Sequence, residues 1–191
     1  MRRLRGTAAA APLLALAACA TPAVGAAPQA VGVASVAQAA AVAQPRDSTG
    51  SCTSPAGYTV EFPADWSTNE AGVLPACGWF GPGAVIVPEA SDVRTAPVTL
   101  QVVDGPLTEV AVPVPDEVTR TELEVGGRQA VRTQQVTTLG LHPEGTRITT
   151  WALDLDGRTL LADAVELPGG DHGRAVAVLD AMVETLETTT I

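Results

Sequence analysis

Between Ala20 and Gly50 the chain contains no Trp, Tyr, Phe, Leu or Ile. A segment so poor in large apolar side chains cannot bury enough area to offset the entropy of ordering it, roughly 1–2 kcal/mol per residue for the backbone alone. Residues 19–50 therefore read as a flexible, Ala-rich tether, and any core must come from residues 51–191. The stretch AVGVASVAQAAAVAQ within it is rich in helix-forming alanine. It is too short, and too interrupted by Ser35 and Gln38, to supply the ~20 apolar residues a membrane span needs. As a coil of about thirty residues it would reach roughly 30 Å, enough to hold a folded domain off a surface.

What precedes the tether has the layout of an export signal. Arg2, Arg3 and Arg5 open the chain, and an apolar run from Ala8 to Ala18 follows, broken by Pro12. Two cleavage readings compete. Leu16-Ala17-Ala18-Cys19 resembles the bacterial lipobox, which predicts a signal peptide over residues 1–18 and a palmitate-bearing, lipid-anchored Cys19 on the extracytoplasmic face of the cell membrane. Val24-Gly25-Ala26 supplies the small residues of an ordinary cleavage site, which predicts a secreted protein instead. Cysteine arithmetic favours the lipobox, because an exported protein with an odd thiol calls for an explanation. With Cys19 acylated, Cys52 and Cys77 remain as one disulfide pair in an oxidising compartment. Under the second reading Cys19 leaves with the signal, and the same pair survives.

Charge excludes one class of partner. Without the leading arginines the chain has eight basic residues, all Arg, against 21 acidic ones, a net −13. Nucleic acid and anionic lipid require clustered Lys and Arg, so neither is expected as a partner. The expected partners are the membrane, through the anchor, and an envelope protein or small ligand of unknown identity.

Residues 51–191 read as one α+β domain, an antiparallel sheet built from hairpins with a packed C-terminal helix. In YTVEFP, Tyr58, Val60 and Phe62 alternate with polar residues at the strand period of two. The following STNEAGVLPACGWFGPG is turn-rich, and a Cys52–Cys77 bridge would close it against the first strand, worth about 3 kcal/mol in the chain-entropy treatment. APVTLQVVDG is a second strand. VTRTELEVGGRQAVRTQQVTT reads as a hairpin turning at Gly126-Gly127, and RITTWALDLDGRTLLADAVEL as another turning at Asp156-Gly157. Asp171 is a candidate N-cap for a final helix whose apolar stripe is Val176, Leu179, Met182, Val183 and Leu186.

The segments YTVEFPADW, CGWFGP, VGGRQAVR and HGRAVAVLDAMVETL carry a resemblance over most of residues 57–187. They resemble the Mog1/PsbP-like proteins, particularly exported actinobacterial lipoprotein members. The resemblance implies a central antiparallel sheet with helices packed on it, and a binding or assembly role rather than catalysis. The matching positions are Tyr58, Phe62, Pro63, Trp66, Gly127, Ala130, Leu179 and Leu186, all of structural type. No functional residue is therefore carried over, and the Ran-binding surface and photosystem ion sites of some relatives have no alignable motif here.

The sequence offers little catalytic chemistry. His142, in LHPEG, and His172, in GDHG, are the two histidines, and both sit in turn contexts. No G-x-S-x-G elbow, H-E-x-x-H helix or S-x-x-K box occurs. DLDGR begins like a calcium loop, but its sixth position is Thr159 and its twelfth Val165, where glycine and a bidentate acid are required. LPGGDHG lacks the Lys and Ser/Thr of a phosphate loop. Asp116, Glu117, Glu122 and Glu124 read as a solvated face. No metal or cofactor is expected, and no enzyme; the rival reading is an enzyme, or an accessory subunit of an envelope enzyme. Trp66 and Trp79 are the candidate partner contacts, since aromatic residues outside regular structure are enriched at binding hot spots.

Overall fold

Two hairpins organise the sheet, each built on a two-residue turn that leaves the flanking strands in register. The computed structural model describes residues 49–88, 94–138 and 140–189. Strand β6 (Glu117–Val125) turns at Gly126-Gly127 into β7 (Arg128–Val136), and β8 (Arg147–Asp154) turns at Asp156-Gly157 into β9 (Arg158–Val165). All four turn residues have positive φ, between 56° and 93°, as a type I′ turn requires. Asp156 tolerates that conformation because its short polar side chain is among those least penalised there.

Six further strands complete the fold. β3 (Trp66–Thr68), β4 (Trp79–Pro82) and β5 (Val98–Asp104) complete a seven-stranded antiparallel sheet in the order β3-β4-β5-β9-β8-β7-β6. β1 (Thr49–Ser54), β2 (Tyr58–Pro63) and β10 (Glu187–Thr188) form a second sheet in the order β1-β2-β10. β4, and all of β3 but Trp66, lie inside the segment that reads as turns, because three or four residues are too few to display a period. β1 begins at Thr49, so Thr49 and Gly50 belong to a strand although they close the apolar-poor segment. Gly50 fits there for want of a side chain: a Cβ would lie 2.7 Å from the Phe62 ring.

Helix α2 (His172–Glu184) packs on one face of the large sheet and against β2. The Asp171 side chain caps it by accepting from the Arg174 N–H at 3.0 Å. Its buried residues are Ala175, Val178, Leu179, Met182 and Val183. Val176 and Leu186 are only partly buried, so the stripe is rotated slightly from the one the spacing predicts. The core lies between α2 and the strands, with Tyr58, Val60, Phe80, Val98 and Leu160 each at most 1% exposed. The fold is thus α+β with antiparallel sheets and a C-terminal helix. Among the described residues, no helix is long and apolar enough to cross a membrane.

The loop from β3 to β4 is ordered by one side chain. Asn69, 3% exposed, accepts from the Gly78 and Trp79 N–H groups at 3.0 and 2.8 Å and donates to the Pro75 carbonyl at 2.9 Å. Cys77 within it has φ +65°, a conformation non-glycine residues rarely adopt. It is held there by its disulfide to Cys52 on β1, with 5.8 Å between Cα atoms, and the Tyr58 hydroxyl donates to its carbonyl at 2.8 Å.

Candidate binding cleft beneath a crossover strap

Because β9, β8 and β7 lie between β5 and β6, the chain leaving β5 must cross the sheet to start β6. It does so on the face opposite α2, through residues 105–116. The strap contains α1 (Leu107–Val110), a single turn that rests on β8 and β9, and then the Val-Pro alternation of AVPVPD. Gly105 starts it at φ +119°, and its carbonyl accepts from the Thr159 hydroxyl at 2.9 Å. At the far end the Val136 N–H donates to the Asp116 carbonyl at 3.2 Å. The Asp116 carboxylate accepts from the Thr138 hydroxyl and N–H at 2.6 and 3.0 Å, which holds its pKa below the usual carboxylate range. In mid-course Arg120 of β6 donates to the Ala111 carbonyl and, at 2.9 Å, to Glu117.

A hollow of about 130 Å³ lies under this strap. Val110, Val112 and Val114 form its roof; Val131, Ala152 and Leu161 its apolar floor; and Thr133, Gln135 and Thr150, with the Glu117–Arg120 ion pair, supply the polar groups. A shallower depression of about 330 Å³ adjoins it, lined by Val114, Pro115, Asp116, Gln135 and Thr138. Val114 and Gln135 line both. Pockets for drug-sized ligands run to roughly 300–1,000 Å³, and one water takes about 30 Å³ of liquid. The hollow is thus suited to one apolar side chain, or to a few waters, with the depression as its outer lip. Val112 and Val114 are 54% and 42% exposed, so the roof itself presents apolar surface to solvent.

Thr150 connects the floor to a charged cluster on the same face. Its hydroxyl donates to Asp163 at 2.6 Å, and Arg94 donates to the Asp163 carbonyl at 3.0 Å, with 3.8 Å between Arg94 and the Asp163 carboxylate. Burial pushes the Arg94 guanidinium below its ordinary pKa, and Asp163 opposes that. His142, in the β7–β8 loop, feels the same pair: burial first and then Arg94 lower its pKa, while Asp163 raises it. Sequence reading misses this Arg–Asp pair, since Arg94 and Asp163 lie 69 residues apart and neither stands in a motif. His172 lies elsewhere, at the start of α2 near Arg147 and Glu166, where burial and then Arg147 lower its pKa.

The predicted site residues do not converge on the cleft. Cys19 lies outside the described residues. Cys52 and Cys77 form the disulfide. Trp66 is 5% exposed and its indole N–H lacks a partner, so it is a core residue with almost no surface to offer a partner. Trp79 is half-buried at the start of β4 and is not among the residues lining the hollow or the depression. Glu117 serves as Arg120's partner and Asp116 as the strap's anchor, whereas Glu122 and Glu124 are exposed as expected. Among the described residues, no group of three or more His, Cys, Asp or Glu is arranged to hold a metal ion.

No family model matches the chain, and no curated protein matches it. Solved structures similar in shape include the following two. A crystal structure from Bacteroides thetaiotaomicron VPI-5482 is 12% identical with a TM-score of 0.45, over 71% of this chain and 46% of that one. This chain therefore spans less than half the length of that relative. The solution structure of cyanobacterial PsbP (CyanoP) from Synechocystis sp. PCC 6803 is 10% identical with a TM-score of 0.46, over 74% of this chain and 93% of that one.

Proposed function

We propose that this chain is a cell-envelope lipoprotein, acylated at Cys19, which displays residues 51–191 as a non-catalytic binding or assembly module. The observation that carries the reading is the Cys52–Cys77 disulfide. It accounts for two of three cysteines and fits an oxidising compartment, leaving Cys19, at the end of an apolar run, as the sulfur without another role. The strap cleft is the module's binding surface in this reading. Its apolar walls and exposed valines suit insertion of an apolar group from an envelope protein or small ligand, and its threonine and glutamine groups, with the Glu117–Arg120 pair, would orient it.

Cys19→Ser is expected to move the full chain from the detergent phase to the aqueous phase on temperature-induced phase separation, with loss of the acyl mass from the N-terminal peptide. A parent chain that already partitions into water, and begins at Ala27 without added mass, would rule the anchor out and leave the secreted form.

A further inference from the structure

The free edge of β6 has a polarity that its hairpin dictates. With a two-residue turn at Gly126-Gly127, Val125 and Arg128 are the hydrogen-bonded pair that closes the hairpin. Alternation then directs the N–H and C=O groups of Leu123 and Thr121 toward β7, and those of Glu124, Glu122 and Arg120 away from the sheet. No described strand lies on that side, because β6 ends the sheet order. Charged residues on an edge ordinarily guard it against pairing. Here their signs leave one pairing open.

We propose that β6 pairs antiparallel with β6 of a second copy of this chain, about a two-fold axis at Thr121. An axis perpendicular to the sheet sets residues of the same face opposite each other, so it must pass at a residue. At Arg120 it would oppose two arginines, and at Glu122 two glutamates. At Leu123 it would oppose Glu122 to Glu124, and an axis at Thr119 or nearer the start of β6 would centre the pairing on the bulge at Val118, where opposite residues do not keep step. Only the axis at Thr121 places Arg120 opposite Glu122 in both directions, with Thr119 facing Leu123 and Glu124 falling beside Val118. Arg120 is held ready for this by Glu117 and the strap, and its guanidinium lies 3.8 Å from its own chain's Glu122, which is 78% exposed at the side chain. Val118, bulged out of the β6–β7 register and 64% exposed, would be partly covered by the Glu124 stem.

The register is testable without reference to the lipid. In the full chain carrying Cys19→Ser, the disulfide occupies the other two cysteines, so an introduced thiol is the sole free one. Thr121 would face its own copy in a non-hydrogen-bonded pair, about 4.5 Å between Cα atoms, within the roughly 4.4–6.8 Å that a disulfide spans. Thr121→Cys should give a disulfide-linked dimer on mild oxidation, seen on a non-reducing gel, and Glu124→Cys should not. Glu122→Pro removes an outward N–H without touching the β7 ladder, and should abolish the dimer in sedimentation with an unchanged circular dichroism spectrum. If that variant does not fold, Glu122→Arg sets arginine against Arg120 and should weaken the dimer roughly tenfold. Equal cross-linking at both cysteine positions, a dimer indifferent to both Glu122 variants, or an unsubstituted chain that stays monomeric at its solubility limit would overturn the proposal.

Discussion

Asp180 shows how much a single side chain can join. From the partly exposed side of α2 it accepts from the Trp151 indole at 2.7 Å and from two Arg132 nitrogens at 3.0 and 3.1 Å, while Arg132 lies 5.7 Å over the Trp151 ring. Hydrogen bonds to a charged group contribute about 1.5–3 kcal/mol, and an orphaned donor in Trp151, 7% exposed, adds to the loss. Asp180→Ala should therefore lower the free energy of unfolding by about 2–3 kcal/mol in urea titration, and Asp180→Asn by less, since an amide oxygen still accepts from the indole. The helical period places Asp180 off the apolar stripe but names none of its partners, 29 and 48 residues away. Glu166 makes a second case. Two hydrogen bonds from Arg147, at 2.9 and 2.8 Å, help bring its pKa down to about 2 from 4.5. A depressed carboxylate contributes stability above its unfolded pKa and loses it as pH falls toward the folded value. The parent should thus lose stability relative to Glu166→Gln between about pH 4.5 and pH 2, with the two denaturation curves converging at the acid end; parallel curves would contradict this.

Elements are legible in this sequence where a turn and a period agree. Gly126-Gly127 and Asp156-Gly157 stand between alternating runs, and both hairpins form with those turns; Asp171 likewise marks the start of α2. Strand order is a different matter. Nothing in APVTLQVVDG says that β5 pairs with β9, and without that pairing neither the strap nor the hollow beneath it can be foreseen. The valines of AVPVPD show no more than alternation, and their role follows from what they cross. The burial of Trp66 is hidden from the sequence for a related reason, since a three-residue strand is too short to reveal which face is buried. The disulfide acts at this scale too, tying β1 to the loop before β4 across 25 residues. Closing such a loop stabilises by about 3 kcal/mol in the chain-entropy treatment, so Cys52→Ser should lower the melting temperature by roughly 10 °C under non-reducing conditions. An unchanged melting temperature would show that the bridge constrains little.

For the molecule as a whole, composition alone separates residues 19–50 from the domain that follows, and the described core is built from residues of the latter. The first strand of that domain is also where the bridge is fastened. Any pull arriving through residues before Thr49 would load β1 from its leading end and peel it from β2, one rung at a time, beginning at the Thr49–Pro63 rung. Peeling can proceed past Gly50 and Ser51, but at Cys52 it meets a covalent bond to the loop before β4. Tension is then handed from a row of weak rungs to the seven-stranded sheet, so the domain would yield a few residues of slack and hold its shape against further drag.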